Sequence, residues 1–82
     1  QGRIDCVLEC PDYVYIFEFK LNSTAEVALK QIEEKGYALP YAADNRKIYK
    51  VGISFSSETG TVNDFEYTLL QKLRWSRIPF SA

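Results

Sequence analysis

The chain has 82 residues, 46% apolar and 26% charged, with four glycines and three prolines; this describes one small globular domain with room for one core, and it excludes a multidomain enzyme within these residues. Ten Lys and Arg against eleven Asp and Glu leave a formal net charge of -1, so any contact with a polyanion must come from a local patch rather than a global positive field. Histidine is absent, which removes Ser-His-Asp, Cys-His and HExxH chemistry and leaves carboxylates, lysine, tyrosine and backbone groups as catalytic parts.

Cys6 and Cys10 have no second pair to complete a zinc ribbon or a disulfide framework. On one strand they share a face about 13 Å apart, beyond the reach of a local bridge, and they read as reduced, buried and intracellular. The apolar runs are only a few residues long and no charged-then-apolar leader opens the sequence, so no membrane span or signal peptide is expected and the reading is cytoplasmic. Opening on Gln1-Gly2 rather than methionine reads as a piece of a longer polypeptide.

In chain order, Arg3 to Cys10 (RIDCVLEC) alternates Ile4, Cys6, Leu8 and Cys10 on one face with Arg3, Asp5, Val7 and Glu9 on the other, the period of a strand. Pro11-Asp12 interrupts this as a turn, and Tyr13 to Lys20 (YVYIFEFK) resumes as aromatic and β-branched strand residues, predicting an antiparallel hairpin. Tyr13, Tyr15, Phe17 and Phe19 face one way and Val14, Ile16, Glu18 and Lys20 the other, so this strand is expected to be covered on both sides.

Thr24 to Lys35 is a predicted helix with apolar stripe Ala25, Ala28, Leu29 and Ile32, a capping box of Ser23 with Glu26, and Gly36 as a left-handed stop. Gln31 sits at the boundary of the stripe. Tyr37 to Ala43 reads as a further helical turn or two broken near Pro40, and Asp44-Asn45 turns into a third strand, Lys47 to Ser56 (KIYKVGISFS). A helix between strands two and three implies a right-handed crossover and a parallel pair. Thr61 to Leu70 reads as an edge strand with a tail that could also be helical, and Leu73 to Ala82 has no clear period.

The chemistry concentrates on Asp5, Glu18 and Lys20, where a carboxylate on one strand faces the end of its hairpin partner, which projects a second carboxylate and an ammonium at i and i+2. Two oxygen ligands able to approach one point suit a hard divalent cation such as Mg²⁺. A lysine beside it would hold or polarise a water and offset phosphate charge, the parts needed for phosphodiester hydrolysis. Spacing alone does not separate this from a solvated charge pair at a strand end.

The stretch GRIDCVLECPDYVYIFEFKLNSTAEVALKQIEEKGY, Gly2 to Tyr37, resembles the PD-(D/E)XK nuclease superfamily, specifically the bacterial branch that commonly follows an AAA-ATPase-like domain, and the resemblance extends to about Tyr67. It implies that Asp5 is the first metal-binding acid, with Ile4 in place of the signature proline, that Glu18 and Lys20 are the acid and lysine of the ExK element around Phe19, and that Gln31 and Tyr37 lie near the site. Against that family's core the chain starts at the second strand. Glu9 shares the face of Asp5 but stands about 13 Å along the strand, so it reads as surface or hairpin pairing.

Other features have structural readings. The strand aromatics could be base-stacking platforms, but their alternation assigns them to core or interface. Lys72, Arg74 and Arg77 around Trp75 could touch a phosphate backbone and otherwise form a tail or packing segment. SSETG lacks a following Lys-Ser/Thr, so no nucleotide-binding loop is supported.

The expectation is an α/β domain over residues 1–82, with 69–82 as a tail: a restriction-endonuclease-like core, truncated at the N-terminus, with a mixed, mainly antiparallel sheet and a crossover helix. The expected function is Mg²⁺-dependent phosphodiester hydrolysis in DNA, Mn²⁺ being the alternative metal, with Asp5 and Glu18 as metal ligands, Lys20 activating water and Gln31 assisting. The rival reading is a noncatalytic nuclease-like module that docks on an AAA-ATPase-like domain or forms a homodimer through an open edge and an uncovered aromatic face.

Overall fold

The computed structural model describes residues 3–70, with side chains from Cys6 onward. Its elements are β1 (Arg3–Glu9), β2 (Tyr13–Leu21), α1 (Ala25–Lys35), a 3₁₀ turn (Leu39–Tyr41), β3 (Lys47–Ser56) and β4 (Thr61–Leu69). The strands form a single four-stranded sheet in the order β1-β2-β3-β4. The β1–β2 and β3–β4 pairs are antiparallel and β2–β3 is parallel. This is the mixed sheet with a crossover helix expected from the sequence. The expected tail at Leu73 to Ala82, including the cluster around Trp75, lies outside the described residues.

The crossover works because α1 is short, well stopped and apolar on one side. Thr24, in an extended conformation, caps its N-terminus by accepting from the Val27 N–H at 3.1 Å. The cap is therefore Thr24 rather than Ser23, and the anticipated Ser23–Glu26 box is corrected accordingly. The reason is tertiary: the Ser23 carbonyl is occupied as the acceptor of the Ser54 hydroxyl at 2.7 Å, which sets the helix start one residue later. At the other end Gly36 takes φ 67°, and its N–H closes the last turn, a conformation glycine adopts without steric cost.

α1 lies across β3 and β2 and reaches β4. Between helix and sheet sits the core of Val14, Ile16, Ile32, Ala38 and Ile48, with Leu29, Tyr37, Tyr41 and Leu70 packed at its margin. The contact is closest at Gly52, where a Cβ would stand 2.4 Å from the Ala25 carbonyl oxygen and 2.5 Å from the Leu29 nitrogen. A glycine interrupting a β-branched strand often marks such an approach of another backbone.

The opposite face of the sheet corrects two expectations. Among the described residues β2 is covered on one side only: Val14, Ile16 and Glu18 are buried, whereas Tyr13, Tyr15, Phe17 and Phe19 are exposed or half-exposed. The aromatic side is instead filled laterally by stacked rings, Tyr15 on Tyr49 at 5.4 Å and Phe19 on Phe55 at 5.6 Å between centroids, in the range of favourable aromatic pairing. Cys6 is exposed and Cys10 half-exposed, both as free thiols. They are not buried, because β1 is an edge strand and Cys6 lies on its uncovered face.

A polar strap joins the hairpin turn to the segment entering β3. Arg46 donates to Glu9 at 3.0 Å, to both Asp44 carboxylate oxygens at 2.9 and 2.6 Å, and to the Cys10 carbonyl at 3.2 Å. Tyr41 donates to Glu9 at 3.3 Å. The hydrogen bonds that Arg46 donates to Asp44 and then to Glu9 raise the guanidinium pKa further. Desolvation and the Glu9 charge push the Tyr41 phenol above its ordinary value of 10.0.

Candidate functional site

The β1–β2 register sets Asp5 directly opposite Glu18 and Arg3 opposite Lys20. Directly opposed residues of an antiparallel pair lie on the same face, and so do residues at i and i+2 on one strand. The backbone positions of Asp5, Glu18 and Lys20 therefore share the helix-covered face, as the spacing requires. On the other side of β2, Glu18 has Gly52 as its register partner and Lys20 has Ser54.

Glu18 is 0% exposed. It does not emerge into solvent as a free strand end would, because α1 descends onto its neighbour Gly52 and presents the buried small residues Ala25 and Ala28 to the sheet. Taking a carboxylate out of water is costly unless charge or hydrogen bonds offset it. Lys20 is half-exposed, at the rim where β2 leads into the helix. The arrangement is a buried acid with a half-exposed lysine two residues along the strand.

Gln31 is half-buried on α1. The side of the helix carrying Leu29 and Glu33 is fixed over β3 by the close approach at Gly52 and by the ion pair of Glu33 with Lys50. Gln31 precedes Glu33 by two residues, about 200° around the helix, which puts it on the flank away from the Glu33–Lys50 pair. Tyr37, just beyond α1, is half-buried against the core. Glu9, on the face of Asp5, is committed to Arg46 and Tyr41 with its side chain 53% exposed, in keeping with its reading as a surface pairing residue.

Three features were not anticipated. Gly52 and Ser54 border the acid and the lysine on β3, and the one available signal was a glycine within KIYKVGISFS. Lys50 is 7% exposed and donates to Glu33; in sequence it alternates like an ordinary surface lysine.

Comparison with known proteins agrees with this geometry. The profile of the PD-(D/E)XK nuclease superfamily matches residues 1–65, and the chain belongs to that superfamily. An uncharacterized protein in the vnfD 5′ region of Azotobacter chroococcum mcd 1 is 39% identical over 67 residues, covering 79% of this chain and 13% of that protein. The chain thus corresponds to a small part of that relative's length. No solved structure gives a significant match.

The residues fit the divalent metal that such nucleases generally use. Asp5 and Glu18 occupy directly opposed positions on adjacent strands, and carboxylates are the donor type that Mg²⁺ and Mn²⁺ take. Among the described residues no helix is long and apolar enough to cross a membrane.

Proposed function

We propose that this domain hydrolyses phosphodiester bonds of DNA with a divalent cation, Mg²⁺ in the first instance and Mn²⁺ as a substitute. The observation that supports it is the register of Asp5 against Glu18, with Lys20 two residues along the same face. Asp5 and Glu18 would hold the metal, which when bound supplies Lewis acidity and a water of lowered pKa.

The chain's own groups do the rest. The Lys20 ammonium orients the attacking water by hydrogen bonding and neutralises charge that develops on the phosphate. The Gln31 side-chain amide can donate to the water or to a phosphate oxygen from the helix flank. Ala25, Ala28 and Gly52 keep bulk water from the Glu18 side of the site, which strengthens the electrostatics there. In the intact polypeptide we assign this unit to the cytoplasm, beside an AAA-ATPase-like domain. Lys20→Ala should abolish Mg²⁺-dependent cleavage of duplex DNA while the circular dichroism spectrum stays unchanged; retained cleavage would refute the assignment.

A second reading is favoured by the open aromatic face. Tyr15, Phe17, Tyr49, Val51, Phe65 and Tyr67 line a shallow groove on it, and Phe65 and Tyr67 are 60% and 62% exposed. Apolar patches of this kind mark interaction surfaces, and here they support a noncatalytic module that forms a homodimer face to face. Sedimentation equilibrium distinguishes this reading: self-association that Tyr67→Glu abolishes supports it, and a monomer at high concentration removes it.

A further inference from the structure

The connection from β2 to α1 is only Asn22, Ser23 and Thr24, and it begins two residues after Lys20. It is tied unusually firmly to the far end of β3. The Asn22 N–H donates to the Phe55 carbonyl at 2.7 Å. The Asn22 side chain makes a reciprocal pair with Ser57, its Nδ2 donating to Ser57 Oγ at 2.8 Å and its Oδ1 accepting from the Ser57 N–H at 3.0 Å. Ser54, fully buried and the register partner of Lys20, donates its hydroxyl to the Ser23 carbonyl at 2.7 Å.

Asn22 also stands at φ 55°, where it is the residue other than glycine with positive φ among the described residues. Asparagine enters this region more readily than most L-residues because its short polar side chain hydrogen-bonds locally. Turn and side-chain bonds together fix the direction in which the chain leaves Lys20. The hydrophobic cluster at Val14 and Ile16 lies toward the opposite end of β2.

We propose that Asn22 is a positioning residue: with Ser57 and Ser54 it clamps the end of β2 so that Lys20 keeps a fixed place beside Glu18 and Asp5. The proposal rests on the nuclease reading of the site. It assigns to the hydrogen bonds between the crossover and the β3–β4 end the task of holding a long, flexible lysine stem in one productive direction, where small misplacements cost much of the rate.

The side-chain clamp can be separated from the turn. Asn22→Gly keeps the left-handed conformation at no steric cost and removes the pairing with Ser57, and Ser54→Ala removes the second tie. Asn22→Asp keeps both contacts, because its carboxylate accepts from the Ser57 N–H and from the Ser57 hydroxyl, and it should restore the wild-type behaviour. In the Asn22→Gly/Ser54→Ala double variant, amide exchange at Lys20, Leu21 and Ser23 should accelerate at least about tenfold while Val14, Ile16 and Ile48 keep their protection. With duplex DNA and Mg²⁺, kcat should fall by about 10- to 100-fold with KM and the Mg²⁺ half-saturation unchanged.

Wild-type exchange at Lys20 and Leu21 in the double variant overturns the clamp, and so does a full kcat alongside accelerated exchange. If the wild-type chain cleaves nothing with either metal, the nuclease reading falls and the exchange data alone decide the clamp.

Discussion

Glu18 and Gly52 are register partners across the parallel β2–β3 pair, and the missing side chain at Gly52 is what lets α1 settle low enough to bury the Glu18 carboxylate. A methyl group at position 52 would meet backbone atoms of Ala25 and Leu29, and backbone in a helix yields only by lifting the helix as a body. Gly52→Ala should therefore destabilise the domain by about 3 kcal/mol or more, at the upper end of overpacking costs. Chemical denaturation measures this directly, and a loss under about 1 kcal/mol would show that the helix is free to ride higher.

Metal binding at the paired carboxylates would have a thermodynamic signature independent of cleavage. A ligand that binds the folded state alone stabilises it by about 2.7 kcal/mol at one hundred times its dissociation constant. Mg²⁺ or Mn²⁺ should raise the melting temperature of the wild type and leave that of Asp5→Asn/Glu18→Gln unchanged. Equal shifts in both proteins would assign the binding to other groups.

The Glu33–Lys50 pair predicts an asymmetry. Lys50 is nearly buried, in a small cavity lined by Ile32, Gly36, Ala38, Leu39, Ala42 and Leu70, whereas Glu33 is half exposed. Removing the acid leaves a buried ammonium without its counter-charge, while replacing the lysine by an apolar side chain of similar length removes the charge itself. Glu33→Ala should cost about 1–2 kcal/mol, the buried-pair value discounted for solvent screening, and Lys50→Met should cost less. Urea midpoints ranked the other way would show that the pair is worth more than the apolar contact.

The strap of Glu9, Tyr41 and Arg46 makes an alkaline prediction. The phenol pKa of Tyr41 is raised in the fold above 10.0, so the folded state holds that proton more tightly than the unfolded chain. Its contribution to stability is complete below the unfolded value and is lost as pH rises through the folded one. The stability difference between wild type and Tyr41→Phe should therefore be constant up to about pH 9 and shrink above about pH 10. A difference that persists unchanged into strong alkali would separate Tyr41 from the Glu9 carboxylate.

Much of the architecture is local enough to be legible along the chain. YVYIFEFK and KIYKVGISFS announce strands by alternation, the stripe of Ala25, Ala28, Leu29 and Ile32 announces the helix between them, and Gly36 marks its end. A helical crossover then leaves a parallel pair as the expected outcome. The alignment of Asp5 with Glu18 also follows from a short hairpin, since the turn at Pro11-Asp12 sets the register.

What the linear pattern withheld depends on contacts between segments distant in sequence. Ser23 and Thr24 are both acceptable caps, and the hydroxyl of Ser54 decides between them by claiming the Ser23 carbonyl. Glu18 and Lys20 look equivalent as strand-end charges, yet one is buried and the other half-exposed, because α1 rests on Gly52 and not beyond it. Likewise the aromatic side of β2 reads as interior but faces outward among the described residues. Alternation along a strand specifies which side chains share a face; which face is covered, and how deeply, is settled only when the helix finds the place where two backbones can touch.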